Sequence, residues 1–73
     1  MDWSKCPDVE SRPDVVSGAW VVKGTRVQAD AIVEHFDEGY SAEEIVTRIF
    51  PSVPLSRAWR ILEFAGRHVP SPA

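Results

Sequence analysis

Trp20-Val21-Val22-Lys23-Gly24-Thr25-Arg26-Val27 divides the chain. Before it, Pro7 and Pro13 punctuate a segment with neither helical nor strand period; after it, apolar residues recur at helical spacing. Within the run, Trp20, Val21, Val22, Thr25 and Val27 favour extended backbone, because aromatic and β-branched side chains fit a pleated, half-buried surface. Gly24 interrupts it, as glycines do where a strand bends or bulges. Arg26 presents a forked donor able to pin such a bend to a carboxylate or to carbonyl oxygens. Two readings of Gly24-Thr25-Arg26 stand side by side. One is a structural corner leading a strand into the first helix; the other is a contact through which Lys23 and Arg26 meet a ligand or partner.

Seventy-three residues make one domain. A chain this short buries only about 60% of the surface its unfolded state exposes, so its core is marginal. Small domains recover stability from disulfides, a metal or oligomerisation. Cys6 is the only cysteine, which excludes an internal disulfide. His35 and His68 lie far apart and neither has a second ligand at metal spacing, so no metal and no other cofactor are expected. Oligomerisation remains, and an extended run at Trp20–Val27 would leave an unpaired edge in a monomer. A homodimer is therefore expected. No apolar run approaches the roughly 20 residues of a membrane span, and Met-Asp-Trp-Ser-Lys-Cys-Pro lacks a signal peptide's apolar stretch. No membrane partner is expected, and a lone thiol suits the reducing cytoplasm.

Residues 1–14 read as an extended, loosely packed arm, anchored by Trp3 and Val9. Val15 and Val16 open a first short strand that Ser17-Gly18 turns into a hairpin with Trp20–Lys23. The first helix runs from about Ala29 to Glu38, with Ala29, Ile32, Val33, Phe36 and Tyr40 as its apolar stripe and Gly39 at its end. Asp30 and Glu34 favour its positive end; His35, beside the stripe, reads as structural. Ser41 and Glu44 have the spacing of a capping box, with Tyr40 and Ile45 placed for a hydrophobic staple. The second helix buries Ile45, Val46, Ile49 and Phe50 and stops before Pro51. A third helix spans about Leu55 to Arg67, with Leu55, Ala58, Trp59, Leu62 and Ala65 as its stripe. Residues 15–67 thus form the domain, and residues 68–73 a frayed tail.

The net charge of −3 is segregated: residues 1–45 carry ten acids and four bases, and residues 46–73 carry Glu63 against Arg48, Arg57, Arg60 and Arg67. Such asymmetry points to one face suited to an anionic partner. Two short helices joined by a tight turn, the second bearing outward arginines, describe a helix-turn-helix unit, whose second helix enters the major groove. Arg57 and Arg60, near the start of the last helix, would read base edges, while Arg48 and Arg67 would hold phosphates. The same layout describes any small three-helix bundle with solvated arginines. An enzyme is not expected: there is no Cys/His pair with a third group, no glycine-rich phosphate loop and no metal set. The acids of Asp37-Glu38 and Glu43-Glu44 read as solvated faces or caps.

Gly18-Ala19-Trp20-Val21-Val22-Lys23-Gly24-Thr25-Arg26-Val27, the helix after it, Glu38-Gly39-Tyr40-Ser41-Ala42-Glu43-Glu44-Ile45, Phe50-Pro51 and Leu62-Glu63-Phe64-Ala65 together resemble the domain of unknown function 433 family over about residues 13 to 66. These are small bacterial and archaeal proteins described as VapB-type antitoxin-like. Where members usually carry two prolines, this chain has Trp20 and Gln28, and Pro54 stands where a Ser/Thr cap is common. The resemblance implies a mainly α, homeodomain-like three-helix fold preceded by short strands, and pairing with a PIN-type nuclease toxin. Type II antitoxins generally neutralise with a long C-terminal segment, which here would fall to the arm or a domain face. The expected function is an antitoxin-like component that binds operator DNA through its last helix and neutralises the nuclease. The alternative is a protein-interaction module without DNA binding, contacting its partner through Trp3, Lys23, Gly24, Thr25 and Arg26.

Overall fold

In the computed structural model, which describes residues 2–69, the dividing run forms strand β2 (Trp20–Val22). Its antiparallel partner is β1 (Val9–Ser11), with Val9 opposite Val22, Glu10 opposite Val21 and Ser11 opposite Trp20. The pairing strand is thus not Val15-Val16. Those residues enter a left-handed turn, with φ of 48° at Val16, 54° at Ser17 and 81° at Gly18. The Ser11 hydroxyl donates to the Gly18 carbonyl at 2.6 Å and closes the loop at its neck. Val15 is buried and Val16 is 38% exposed.

After β2 the chain doubles back at once. The Val22 amide donates to the Val27 carbonyl at 2.8 Å, the Thr25 amide to the Val22 carbonyl at 3.0 Å, and Val21 bridges Gln28. The Thr25 hydroxyl donates to the Val22 carbonyl and accepts from the Val27 amide, fixing the corner from within. This return occupies part of the outer edge whose exposure argued for dimerisation.

Helix α1 (Ala29–Asp37) keeps its expected start and is capped at Glu38. Helix α3 (Leu55–Phe64) ends three residues before Arg67. Both ends use one device. At α1 the Tyr40 amide bonds the His35 carbonyl and the Gly39 amide that of Phe36; at α3 the Arg67 amide bonds Leu62 and the Gly66 amide Glu63. This paired closure needs a left-handed residue between the two donors, and Gly39 (φ 111°) and Gly66 (φ 81°) supply it.

Helix α2 (Ala42–Glu44) begins on the capping box read from the sequence: Ser41 Oγ accepts from the Glu44 amide at 3.1 Å, and Glu44 Oε1 from the Ser41 amide at 3.0 Å. It continues as a π-helical stretch, Ile45–Ile49, which periodicity did not foresee. Pro51 then acts as expected, with Phe50 out of the helical region at φ −127° and ψ 73°. Tyr40 is 41% exposed, and its ring meets His35 edge-on at 5.7 Å.

The core lies where α1, α3 and the sheet meet, around Val22, Ala29, Ile32, Ile61 and Leu62, with Ile45 entering from the π-helical stretch. The described part of the expected arm, residues 2–14, is packed against the body. Trp3, in a single 3-10 turn (Trp3–Lys5), is 2% exposed; its ring stacks on Phe64 at 5.5 Å and its indole N–H donates to Asp30 at 2.8 Å. Cys6 and Val9 are buried beside it. At the other end, residues 70–73 of the expected tail lie outside the described residues. Val69 is buried, its carbonyl taking the Trp59 indole N–H at 3.0 Å. Among the described residues, three helices and a two-stranded sheet make the architecture, and no helix is long and apolar enough to cross a membrane.

Ser41→Ala is expected to lower stability by about 1 kcal/mol, the usual cost of an N-cap oxygen. Glu44→Ala should cost less, and the double variant less than the sum, because the two bonds are reciprocal. Urea unfolding of the four proteins measures this; strict additivity would show that the two caps act independently.

Candidate functional site

Arg57 and Arg60 stand three apart on α3 and point away from the Ala58/Leu62 stripe, as a base-reading pair would. What they meet is the N-terminal segment. Asp8, just before β1 and 6% exposed, receives Arg60 Nε at 3.0 Å on each carboxylate oxygen and Arg60 Nη2 at 2.9 Å. Arg57 Nε lies 3.9 Å from the same carboxylate. A buried carboxylate needs such partners, since leaving its charge uncompensated is costly. The hydrogen bonds Arg60 donates to Asp8, and then the charge of that carboxylate, hold the Arg60 pKa above the ordinary guanidinium value.

Arg67 is engaged as well. Its fork closes on Asp37, Nε to Oδ1 at 3.0 Å and Nη2 to Oδ2 at 2.6 Å, tying the end of α3 to the end of α1. Its Nη1 also donates to the Ala65 carbonyl. The Arg67 hydrogen bond lowers the Asp37 pKa below the usual aspartate range, outweighing an opposing effect of burial. Of the four arginines proposed for DNA, only Arg48 has no ion-pair partner among the described residues, and it lies on the exposed side of the π-helical stretch. The charge segregated along the sequence is thus largely cancelled in space.

The corner behaves differently. Lys23 and Arg26 are exposed, so Arg26 does not pin the bend. That role falls to Arg12, whose Nη2 donates to the Thr25 carbonyl at 3.0 Å, while Glu10 accepts from the Gly24 amide at 2.9 Å. Trp3, read as a partner contact, is buried. Trp20, absent from that set, is 36% exposed at the open end of β2.

Beside the corner an open cleft of about 500 Å³ runs between Arg26-Val27-Gln28, one face of α1 (Asp30, Ala31, Glu34) and Phe50. Val27, Ala31 and Phe50 are half-buried and give it an apolar floor; the acids and Arg26 stand exposed at its rim. Spacing of 30, 31 and 34 marks one helical face, but nothing local to Phe50 announces that it closes the cleft. His35 lies behind Phe50, ring centroids 5.6 Å apart, in a packing role. Among the described residues no group of three or more His, Cys, Asp or Glu is placed to hold a metal.

Residues 9–65 match the family described as Protein of unknown function (DUF433). No curated protein and no solved structure matches the chain.

Arg60→Ala should lower the urea midpoint clearly, because it strips the main partner from a buried carboxylate. Arg48→Ala should stay within about 0.5 kcal/mol of the parent, as substitutions at unpaired surface sites do. Equal effects would mean that the Asp8 pair carries no load. Acid should act through Asp37 and Glu44, both held low, Asp37 by Arg67 and Glu44 by its hydrogen bonds with Ser41. A carboxylate depressed in the folded state contributes stability above its unfolded pKa, and that contribution fades as pH falls through the folded value. Arg67→Ala should therefore narrow the stability difference between neutral and strongly acidic solution, followed by unfolding midpoints across that range.

Proposed function

The chain belongs to the DUF433 family, and from that premise we propose that it is a non-enzymatic, antitoxin-like protein that acts by binding a protein partner, a PIN-type nuclease, rather than by reading operator DNA. In this reading the three helices are a homeodomain-like bundle used as a scaffold for protein contact. One observation carries it: Arg57 and Arg60 are bound to Asp8, and Arg67 to Asp37. A base-reading arginine needs its fork free for guanine O6 and N7, and a phosphate-binding face needs several free cations to release counterions. Arg48 alone supplies neither. The exposed residues that remain, Lys23, Arg26 and Trp20, lie along the corner and the open end of β2. Tryptophan and arginine are the side chains that most often dominate protein interfaces.

Titration of the protein's own promoter fragment at two salt concentrations, with and without a nuclease encoded by an adjacent gene, tests the proposal. The expected result is inhibition of the nuclease, with no salt-dependent DNA binding by the lone protein. Trp20→Ala and Arg26→Ala should each weaken the protein complex by about 1–2 kcal/mol, and Arg60→Ala should do so only as far as it unfolds the protein. Specific DNA binding in either arm would overturn the proposal if Arg60→Ala relaxed its sequence preference and Arg48→Ala flattened its salt dependence by about one counterion.

A further inference from the structure

We infer that the cleft between the corner and α1 receives an arginine side chain of the protein partner, with its stem on Val27 and Ala31 and its guanidinium over Phe50 between Asp30 and Glu34. The inference rests on the protein-partner reading and names the chemistry of what that partner presents.

The rim supplies the charge. Asp30 and Glu34 stand four residues apart on α1, so their carboxylates are neighbours on one helical face. Asp30 Oδ1 accepts from the Trp3 indole, and Oδ2 accepts no hydrogen bond among the described residues; Glu34 is exposed. Neither forms an ion pair among the described residues, although Arg26 lines the same cleft. Two acids against one cation leave the cleft net negative, which repels phosphate and attracts a basic side chain. The floor supplies the shape. Val27 and Ala31 are a surface for methylenes, and long basic side chains lay their stems on such surfaces while the charged head stays at the rim. Phe50 lines the cleft with an aromatic side chain, and against an aromatic ring a guanidinium is favoured over an ammonium because it is planar and weakly hydrated. A fork with donors on two sides can also reach two carboxylates at once, as a point-like ammonium cannot. The volume, about 500 Å³, exceeds one arginine and leaves room for the apolar neighbours of a short segment.

An acetylated, amidated tripeptide with arginine between two leucines is the probe, and the control carries citrulline, which keeps the shape and removes the charge. Amide chemical shifts of the full chain are followed during each titration. Saturable shifts are expected at Val27, Ala31, Glu34 and Phe50, with the citrulline peptide binding at least about threefold more weakly, the scale of an exposed ion pair. Glu34→Gln, an exposed and conservative change, should weaken the arginine peptide about threefold, while Glu43→Gln, outside the cleft, should leave it unchanged. Equal binding of the two peptides, an unaffected Glu34→Gln variant, shifts away from the cleft, no shifts, or duplex DNA moving the same amides would each overturn the inference. If the nuclease is inhibited but the peptide does not bind, the cleft assignment alone fails. If the peptide binds and no nuclease is inhibited, the identity of the partner fails and the cleft's chemistry stands.

Discussion

A single buried carboxylate organises this small protein. Asp8 takes Arg60 from 52 residues away through its side chain, and through its backbone carbonyl it takes the Lys23 amide at 3.1 Å. One residue therefore fastens the N-terminal segment to α3 and, at the same point, to the end of β2. Taking a carboxylate out of water is costly by itself and is offset only when the charge is met by well-aligned donors. Burial of Asp8 thus requires α3 to be in register, and its loss would leave an isolated charge. Two further links act in the same sense: the Trp3 indole on Asp30 and the Arg67 fork on Asp37. Each joins segments distant in sequence. A core of this size gains specificity from such links, because apolar packing of short helices alone admits several arrangements.

This explains which parts of the fold were legible in the sequence. Signals contained within a few residues held: Ser41 with Glu44, Gly39 after the last turn of α1, Pro51 as a stop. Each is a local conflict over backbone N–H and C=O groups, settled by a neighbour in sequence. What failed was non-local or too short. Strand β1 carries one core-facing residue in three, so no alternation marks it, and Val15-Val16 looked the better strand. The arm looked loose because its anchors, Trp3, Cys6 and Asp8, follow no period. The π-helical stretch keeps an ordinary helical composition and differs only in how its turns close.

The charge pattern was hard to read for the same reason, in a more instructive form. Charge counted along the chain separates an acidic first part from a basic last part, and that contrast points to nucleic acid. Folding brings Asp8 to Arg57 and Arg60, and Asp37 to Arg67, so the contrast is consumed within the molecule. A charge run in sequence is a statement about a surface only when its counter-charges stay elsewhere. Here they do not, and what faces outward along α1 is Asp30, Glu34 and Glu38.

The turn at Val16–Gly18 places backbone strain at the surface rather than in the core. A β-branched residue at positive φ is a genuine outlier, and conformations of this kind cost about 1–3 kcal/mol each. In a domain with little stability to spare, cheaper loops were open to the sequence, since asparagine or glycine at position 16 would remove most of the strain. The structure retains Val16, 38% exposed, in the loop that leads into the equally solvent-facing Trp20. Neither side chain belongs to the core cluster, so core packing does not offset the strain. Under the protein-partner reading proposed above they would serve as contacts: apolar side chains on a turn held at its neck by Ser11 would meet a partner already ordered, and the ordering cost would be met in folding rather than in binding.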